Sequence, residues 1–238
     1  MKIAPLPGNE ISRLKALAEY ELLDTLPEQV YDDITLIASE ITGTPIALLS
    51  LVDENRQWFK SRQGLDVQET PREYSFCAHA ILDPNEMMVV EDARHDERFY
   101  DNPLTTGHPH IVFYAGVPIV DAGGHAMGSL CVIDSQPRKL PESKRRALKA
   151  LANVVKAQFE QRKTRLDMDR VHQALKAATP ASRSQPTVSA RAHRLIEEIE
   201  SGLLSLSAGS FRTEHASQLA SLQQALHDLK GDLNNTDQ

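Results

Sequence analysis

The chain has 238 residues, of which 41% are hydrophobic and 5% aromatic, and it carries a formal net charge of −7. An acidic chain with few aromatic rings lacks the basic face and stacking platforms of nucleic-acid binders, so we expect no nucleic-acid partner. No apolar run approaches the roughly 18 residues of a membrane-spanning helix, and residues 1–8 lack a signal-peptide core. We therefore expect no membrane association and a cytoplasmic location.

The N-terminal region predicts two helices. The first covers residues 10–23 with Asn9 as its N-cap, and the second begins at Pro27 and ends at Gly43, a residue suited to the left-handed conformation. Their apolar positions recur at helical spacing, which indicates one buried face in each. These positions are Ile11, Leu14, Leu17 and Ala18 in the first helix, and Val30, Ile34, Ile37, Ala38 and Ile41 in the second.

The middle of the chain has the patterns of a sheet. A continuous apolar run at 46–52 predicts a buried strand, and the alternating run at 56–62 predicts its hairpin partner. Further strands are expected at 87–90, 112–120 and 126–133, the last two joined by a tight turn at 122–124.

Helices and loops complete this region. Residues 75–82 predict a short helix capped by Ser75, residues 70–71 a loop, and residues 92–107 a long polar loop. A long helix opens at 140–142, with Leu148, Leu151, Val155 and Phe159 on its apolar face. The order of elements predicts an α+β fold, with a central, mostly antiparallel sheet flanked by helices and a C-terminal helical segment.

Four runs of sequence resemble a known family. They are Ser-Phe-Cys-Ala-His-Ala-Ile at 75–81, Val-Glu-Asp-Ala-Arg-His-Asp-Glu-Arg-Phe at 90–99, Phe-Tyr-Ala-Gly-Val-Pro at 113–118 and Gly-Ser-Leu-Cys-Val-Ile-Asp at 128–134. In this order they resemble a GAF domain, the small-molecule sensing module of bacterial signalling proteins. The resemblance covers roughly residues 10–165 and implies a central sheet with helices on one side and a pocket on the other.

The resemblance also suggests which residues contact a ligand. The ligand-binding candidates are Phe59, Cys77, His79, Asp92, Phe99, Phe113, Tyr114 and Cys131. Val112 stands where relatives often place an arginine, and its apolar side chain argues against an anionic ligand. The ligand itself, and any cofactor, is unknown from the sequence.

Three specialised GAF subgroups match poorly. Some attach a bilin through a cysteine directly before a histidine, but Ala78 separates Cys77 from His79, so we expect no covalent bilin. The signature of the cyclic-nucleotide-binding subgroup is absent. The cysteine cluster of the methionine sulfoxide reductases is also missing, and Cys77 and Cys131 are 54 residues apart and need not meet.

Several polar residues allow two interpretations. Cys77 is either a buried structural cysteine or a reactive, ligand-contacting thiol. The alternating charges of Asp92, Arg94, Asp96 and Arg98 form either a solvated loop with internal ion pairs or a lid that meets a polar ligand. The remaining histidines of interest lack the spacing of a metal site, so we expect no metal there. They are His95, His108, His110 and His125.

The C-terminal third predicts helices outside the sensory domain. We divide the chain into a GAF-like domain at 1–165, a helix extension at 166–177, a flexible linker at 178–190 and a helical hairpin at 191–238. The hairpin would serve dimerisation or partner binding. It contains Leu-His-Asp-Leu-Lys-Gly at 226–231, similar to the phospho-accepting run of sensor kinases, so His227 is either a phosphorylation site or part of a leucine-striped helix.

These observations predict a signal-transduction sensor rather than an enzyme. A small molecule would bind in the pocket, and a homodimer would signal through its helices to a protein partner in trans. Two enzymatic alternatives stay open: a phosphorelay component that uses His227, and a thiol-based redox enzyme that uses Cys77. A purely structural interaction domain with a collapsed pocket is a third.

Overall fold

A computed structural model describes residues 1–178 and, beyond them, Ile199, Gln224 and His227. The chain divides into two compact units, Met1–Arg165 and Leu166–Gln238. Apart from these described positions, the predicted linker at 178–190 and hairpin at 191–238 lie outside the described residues. Their division into separate segments stays a prediction.

The described residues form five α-helices and six strands. The helices are α1 (Glu10–Glu19), α2 (Gln29–Thr42), α3 (Phe76–Ala80), α4 (Pro103–Thr106) and α5 (Glu142–Ala178). The strands are β1 (Ile46–Val52), β2 (Arg56–Gln63), β3 (Glu69–Pro71), β4 (Met88–Val90), β5 (Phe113–Val120) and β6 (Ala126–Asp134). Within this part of the chain, no helix is both long and apolar enough to cross a membrane.

The strands form one sheet in the order β3-β2-β1-β6-β5-β4, with every neighbouring pair antiparallel. The central pair, β1 and β6, is buried along its whole length. This architecture confirms the predicted α+β class with an antiparallel sheet flanked by helices. It also explains why β1 reads as a continuous apolar run, because a strand covered on both faces has no solvent-facing positions.

The sheet separates two apolar cores, because successive side chains of a strand point to opposite faces. On β1, Ala47 and Leu49 belong to the core on the helix side, whereas Leu48 belongs to the core on the other side. On β5, Phe113 faces the helices and Tyr114 faces away from them. Below we call these two regions the helix-side core and the pocket-side core.

Helices α1, α2 and α5 cover the helix side. The Phe159 ring of α5 packs against Tyr20 and Tyr31, with ring centroids 6.0 and 5.7 Å apart. The first half of α5 runs antiparallel to α2: Lys144 Nζ donates to the Thr42 carbonyl at one end, and Arg162 pairs with Glu28 at the other.

The predicted face of α1 is only partly correct. Leu17 is buried as expected, but Ile11 is 90% exposed and Ala18 is also exposed, and Arg13 and Ala16 are buried with Leu17 instead. The helix also ends at Glu19 rather than at residue 23. The buried face of α1 is rotated relative to the predicted one because Arg13, whose charge is hydrogen-bonded inside the protein, can be buried.

The predicted face of α2 is partly wrong. Ile34 and Ala38 are buried as expected, but Val30, Ile37 and Ile41 are 38–44% exposed. Tyr31, Thr35, Ser39 and Thr42 take their places against the sheet. The end of the helix is confirmed, since Gly43 adopts a left-handed conformation with φ of 70°.

Two predicted loops contain regular structure. Residues 69–71 form the edge strand β3, which pairs with β2 and leads into a 3₁₀ turn at Arg72–Tyr74. The segment predicted as a long loop at 92–107 contains a 3₁₀ turn at Ala93–His95 and the short helix α4. Short polar side chains cap both elements of this second segment: Asp92 caps the 3₁₀ turn and Asn102 caps α4, each by accepting a backbone N–H group.

Candidate functional site

A cavity of about 150 Å³ lies on the pocket side of the sheet. Strands β1, β2, β5 and β6 form its floor, and α3, α4 and the segments around β3 form its walls. Most of its lining is aliphatic or aromatic, and polar groups enter at a few points. The apolar lining includes Ile46, Leu48, Phe59, Phe76, Ile111 and Ile133, and the polar lining includes Gln57, Glu69, Thr70, His108 and Tyr114.

Helix α3 places two of the wall residues. Ser75 caps it by accepting the Ala78 N–H at 2.9 Å, as its sequence position predicts, and its hydroxyl also donates to Gln57 on β2. This anchorage directs Phe76 and Cys77 toward the cavity. The Phe76 ring in turn stacks on Phe99, with centroids 3.9 Å apart, which fixes that wall from behind.

The two cysteines meet on the cavity wall. Cys77 Sγ of α3 and Cys131 Sγ of β6 are 3.8 Å apart, and both thiols are buried and free. Their separation of 54 residues left open whether they meet, and the packing of α3 on β6 brings them together. Tyr114 Oη donates to Cys77 Sγ at 3.3 Å and lies 3.3 Å from Ser129 Oγ.

The surroundings of the two thiols differ. Burial raises the pKa of Cys77, but hydrogen bonds from neighbouring side chains outweigh burial and lower that pKa to about 6. These neighbours include Cys131, Ser129 and Tyr114. The hydrogen bond with Cys77, together with burial, raises the pKa of Cys131 well above its ordinary value. Cys77 is therefore the thiol of the pair that loses its proton first.

Four of the eight ligand-binding candidates line the cavity, namely Phe59, Cys77, Tyr114 and Cys131. The other four lie elsewhere. Phe99 supports Phe76 from behind, and His79 makes an edge contact with Phe99 while its Nε2 lies 3.0 Å from the Lys2 carbonyl oxygen. Phe113 is buried in the helix-side core, on the wrong face of β5 for the cavity.

Asp92 is the last of the four candidates that lie outside the cavity, and it belongs to a set of local ion pairs. It pairs with Arg94 at 2.6 Å, and Asp96 pairs with Arg98 at 2.7 Å. The hydrogen bond from Arg94 lowers the pKa of Asp92. None of these four side chains lines the cavity. The geometry favours the interpretation of a loop with internal ion pairs over that of a lid.

The cavity also uses residues that the sequence interpretation missed. Thr70 Oγ1 is buried at the cavity without a hydrogen-bond partner in the described part of the chain. His108 and Pro109 also line the cavity, together with Leu65 and Ile111. The sequence pattern raises His108 only as a possible metal ligand. The dipeptide His-Pro after a polar run is a turn signal, but it does not show which face of the sheet the turn covers.

The other histidines have separate environments. His125 Nδ1 lies 3.0 Å from Asp121 in the β5–β6 turn, and His95 Nδ1 lies 3.2 Å from Asp92. In the described residues, no group of three or more His, Cys, Asp or Glu side chains is arranged to hold a metal ion. His227 has helical backbone and an exposed side chain, and its phosphorylation stays a prediction.

Comparisons with known proteins agree with this architecture. The family model of the GAF domain matches residues 26–159, more than half of the chain. A cyclic di-GMP phosphodiesterase of Pseudomonas aeruginosa is 46% identical over 138 residues, which are 58% of this chain but only 23% of that protein. The GAF domain of PixJ from Thermosynechococcus elongatus, in its blue-light absorbing form, superposes with a TM-score of 0.50 at 12% identity. That likeness covers 71% of this chain and 98% of the PixJ domain, and it concerns the fold alone. The chain belongs to the GAF domain family, a family of sensor modules in signalling proteins.

Proposed function

We propose that this GAF domain senses a compact, uncharged and largely apolar molecule in the cavity on the pocket side of the sheet. The observation that carries the proposal is the lining: aliphatic and aromatic walls with a few polar groups, the usual composition of a small-molecule site. Thr70 Oγ1, buried without a hydrogen-bond partner among the described residues, supplies one position for a hydrogen bond to the ligand. Within the described part of the chain, neither lysine nor arginine lines the cavity, so the lining offers no permanent positive charge to an anion.

The size of the cavity supports the same ligand class. An apolar cavity of about 150 Å³ accepts a molecule the size of benzene. Cyclic di-GMP contains two nucleotides and two phosphate charges, so the volume and the lining of this cavity both disfavour it as the occupant. The proposed ligand is therefore chemically distinct from the substrate named for the Pseudomonas relative.

The Pseudomonas relative suggests which activity the sensor regulates. Because the chain spans about a quarter of that phosphodiesterase, we infer a regulatory part rather than the catalytic one. Occupancy of the cavity would then raise or lower cyclic di-GMP phosphodiesterase activity in a protein partner. The coupling requires that the ligand bind one conformation of the sensor more tightly than the other.

We further propose that the sensor acts as a homodimer. Val30, Ile37 and Ile41 form an exposed apolar row on α2, the helix that runs antiparallel to the first half of α5. Packing this row against a second copy would remove it from water and would form a bundle of helices. Ligand-dependent changes on the pocket side would reach the bundle through the shared strands of the sheet.

Indole is a suitable probe, because it is a neutral ring compound with one hydrogen-bond donor. We expect the chain to bind indole, measured by isothermal titration calorimetry, and Leu48→Phe to weaken the binding at least about tenfold by filling the cavity. Leu49→Phe is the matched control, since Leu49 is the next residue of β1 but lies in the helix-side core.

Leu49→Phe should bind indole with an affinity within about twofold of that of the original chain. Overpacking of the helix-side core should nevertheless lower its stability by roughly 1–3 kcal/mol. Native mass spectrometry of the chain purified from its host would reveal a resident ligand as an additional mass lost on denaturation. Equal indole affinity in Leu48→Phe and the original chain would contradict the assignment of the cavity as the binding site.

A further inference from the structure

We propose that Cys77 and Cys131 form a redox site on the cavity wall, in which a small hydroperoxide converts the two thiols to a reversible disulfide. This site is independent of the ligand-sensing role: it stands whether or not the cavity also takes an apolar ligand. It adds to the GAF domain a response to oxidants.

The proposal rests first on the distance between the sulfurs. Cys77 Sγ and Cys131 Sγ are 3.8 Å apart, and a disulfide requires about 2.05 Å. The sulfurs must therefore approach by less than 2 Å. Cys77 lies on the five-residue helix α3, outside the sheet, whereas Cys131 lies on the central strand β6. The approach can thus be made by the helix and the side-chain torsions, without disrupting the sheet.

The second observation is access. Both side chains are at most 1% exposed, so a protein-sized reagent cannot reach them. Both nevertheless line the cavity, whose volume of about 150 Å³ admits a molecule as small as hydrogen peroxide. The site is therefore selective by size, and a second protein cannot form a mixed disulfide with it in the folded state.

The third observation is the asymmetry of the pair. Tyr114 Oη donates a hydrogen bond to Cys77 Sγ at 3.3 Å and so stabilises a thiolate there. Hydrogen bonding lowers the pKa of Cys77, whereas that of Cys131 is raised. Cys77 is therefore the attacking sulfur, and Cys131 is the resolving sulfur that remains protonated until the second step.

The chemistry balances in two steps. The Cys77 thiolate attacks one peroxide oxygen, the O–O bond breaks, and the other oxygen leaves as an alcohol or water after taking up a proton. Cys77 then carries a sulfenic acid. Cys131 attacks that sulfur, the S–O bond breaks, and the hydroxide leaves as water with the proton of the Cys131 thiol. Two thiols are oxidised by two electrons, and one hydroperoxide is reduced.

The test exposes the folded 238-residue chain to hydrogen peroxide. We expect its intact mass to fall by about 2 Da, the two hydrogens lost in a disulfide, and dithiothreitol to restore it. Trypsin digestion without reductant should then yield linked peptides 73–94 and 99–138, because each contains one of the two cysteines and no internal lysine or arginine.

Variants separate the two roles. Cys131→Ser should stop at a Cys77 sulfenic acid, trapped as a dimedone adduct, and Cys77→Ser should show no fast reaction. Tyr114→Phe removes only the hydroxyl that donates to Cys77, so we expect oxidation to slow by roughly tenfold, the loss of one hydrogen bond to a charged group. A circular dichroism spectrum and melting curve like those of the original chain establish that each variant is folded.

Three results would overturn the proposal. The first is a stable sulfinic acid on either cysteine with no linked peptides. The second is linkage between two chains rather than within one. The third is a folded chain that keeps both thiols under peroxide while the same chain in guanidinium chloride loses them, since that would show the cavity to be closed to the oxidant.

Discussion

At the scale of single residues, Arg13 illustrates how a charge can be placed in a core. Its side chain is fully buried, and its guanidinium donates to both oxygens of Glu10 and to the Val52 carbonyl. Arg72 donates to the same carboxylate at 2.6 Å. Glu10 is thus the acceptor that holds two arginines, and through them it joins α1 to the β1–β2 hairpin.

This arrangement predicts a pH dependence of stability. Burial raises the pKa of Glu10, but hydrogen bonds from Arg13 and Arg72 outweigh it and lower that pKa from 4.5 to about 2. The stabilisation by the carboxylate is therefore complete above pH 4.5 and is lost as the pH falls toward 2. Glu10→Gln should reduce the free energy of unfolding at neutral pH by about 2–3 kcal/mol.

Urea denaturation of Glu10→Gln and of the original chain at several pH values measures this pH dependence of the free energy of unfolding. Between pH 4.5 and 2, the stability of Glu10→Gln should depend less on pH than that of the original chain. Glu40→Gln changes an exposed acid on α2 and serves as the control. The same pH profile in both variants would show that Glu10 is not the residue responsible.

The residue scale is also where prediction from sequence is weakest. Arg13 was absent from the predicted face of α1 because hydrophobic periodicity counts only apolar positions. The meeting of Cys77 and Cys131 follows from the packing of α3 on β6, which no local pattern contains. Phe113 and Tyr114 are neighbours with similar rings, and only the direction of β5 relative to the helices decides which one reaches the cavity.

At the scale of elements, the close approach of β1 and β6 depends on Gly128. A Cβ atom at this position would lie 1.9 Å from the Ser50 carbonyl oxygen and 2.8 Å from Leu51 Cα. Both are backbone atoms of the central strand, so they cannot rotate away. We expect Gly128→Ala to lower the stability by about 3 kcal/mol, at the upper end of overpacking costs, measured by chemical denaturation.

Gly8→Ala provides the comparison for this substitution. An added Cβ at Gly8 meets no atom within 4 Å, so its effect should stay within about 0.5 kcal/mol. If Gly128→Ala were equally neutral, the strands would have to be able to separate locally, and Gly128 would not be required for their pairing.

Most elements could be predicted because their signals are local. Strand β1, the hairpin β1–β2, the cap of α3 by Ser75 and the end of α2 at Gly43 all follow from apolar runs or from residues with particular backbone preferences. Strand β3 was missed because it has three residues and ends in proline, which reads as a loop. An edge strand this short is stabilised by its partner β2 rather than by its own sequence.

At the scale of the whole molecule, the exposed row of α2 leads to a prediction about assembly. Ile37 is 44% exposed at the centre of this row, between Val30 and Ile41. If a second copy covers the row, Ile37→Glu would bury a charge in the dimer interface, and we expect the dimer to dissociate to monomers. Sedimentation velocity at several protein concentrations measures this directly.

Ile11→Glu is the matched control, because Ile11 is also an exposed isoleucine but lies on α1. This variant should sediment like the original chain. A dimer that survives Ile37→Glu would place the interface elsewhere, whereas dissociation by both variants would indicate general destabilisation rather than a specific face.

The single sheet between the two cores has a consequence for how such sensors diversify. Leu48 and Leu49 are adjacent in sequence, yet one lines the cavity and the other packs against the helices. Point substitutions at alternate positions of one strand can therefore reshape the cavity while the packing of the helices on the other face stays unchanged. An insertion of one residue in β1 would instead exchange the two faces and damage both at once. In this architecture the cavity lining can thus change by substitution, but not by a change in strand length.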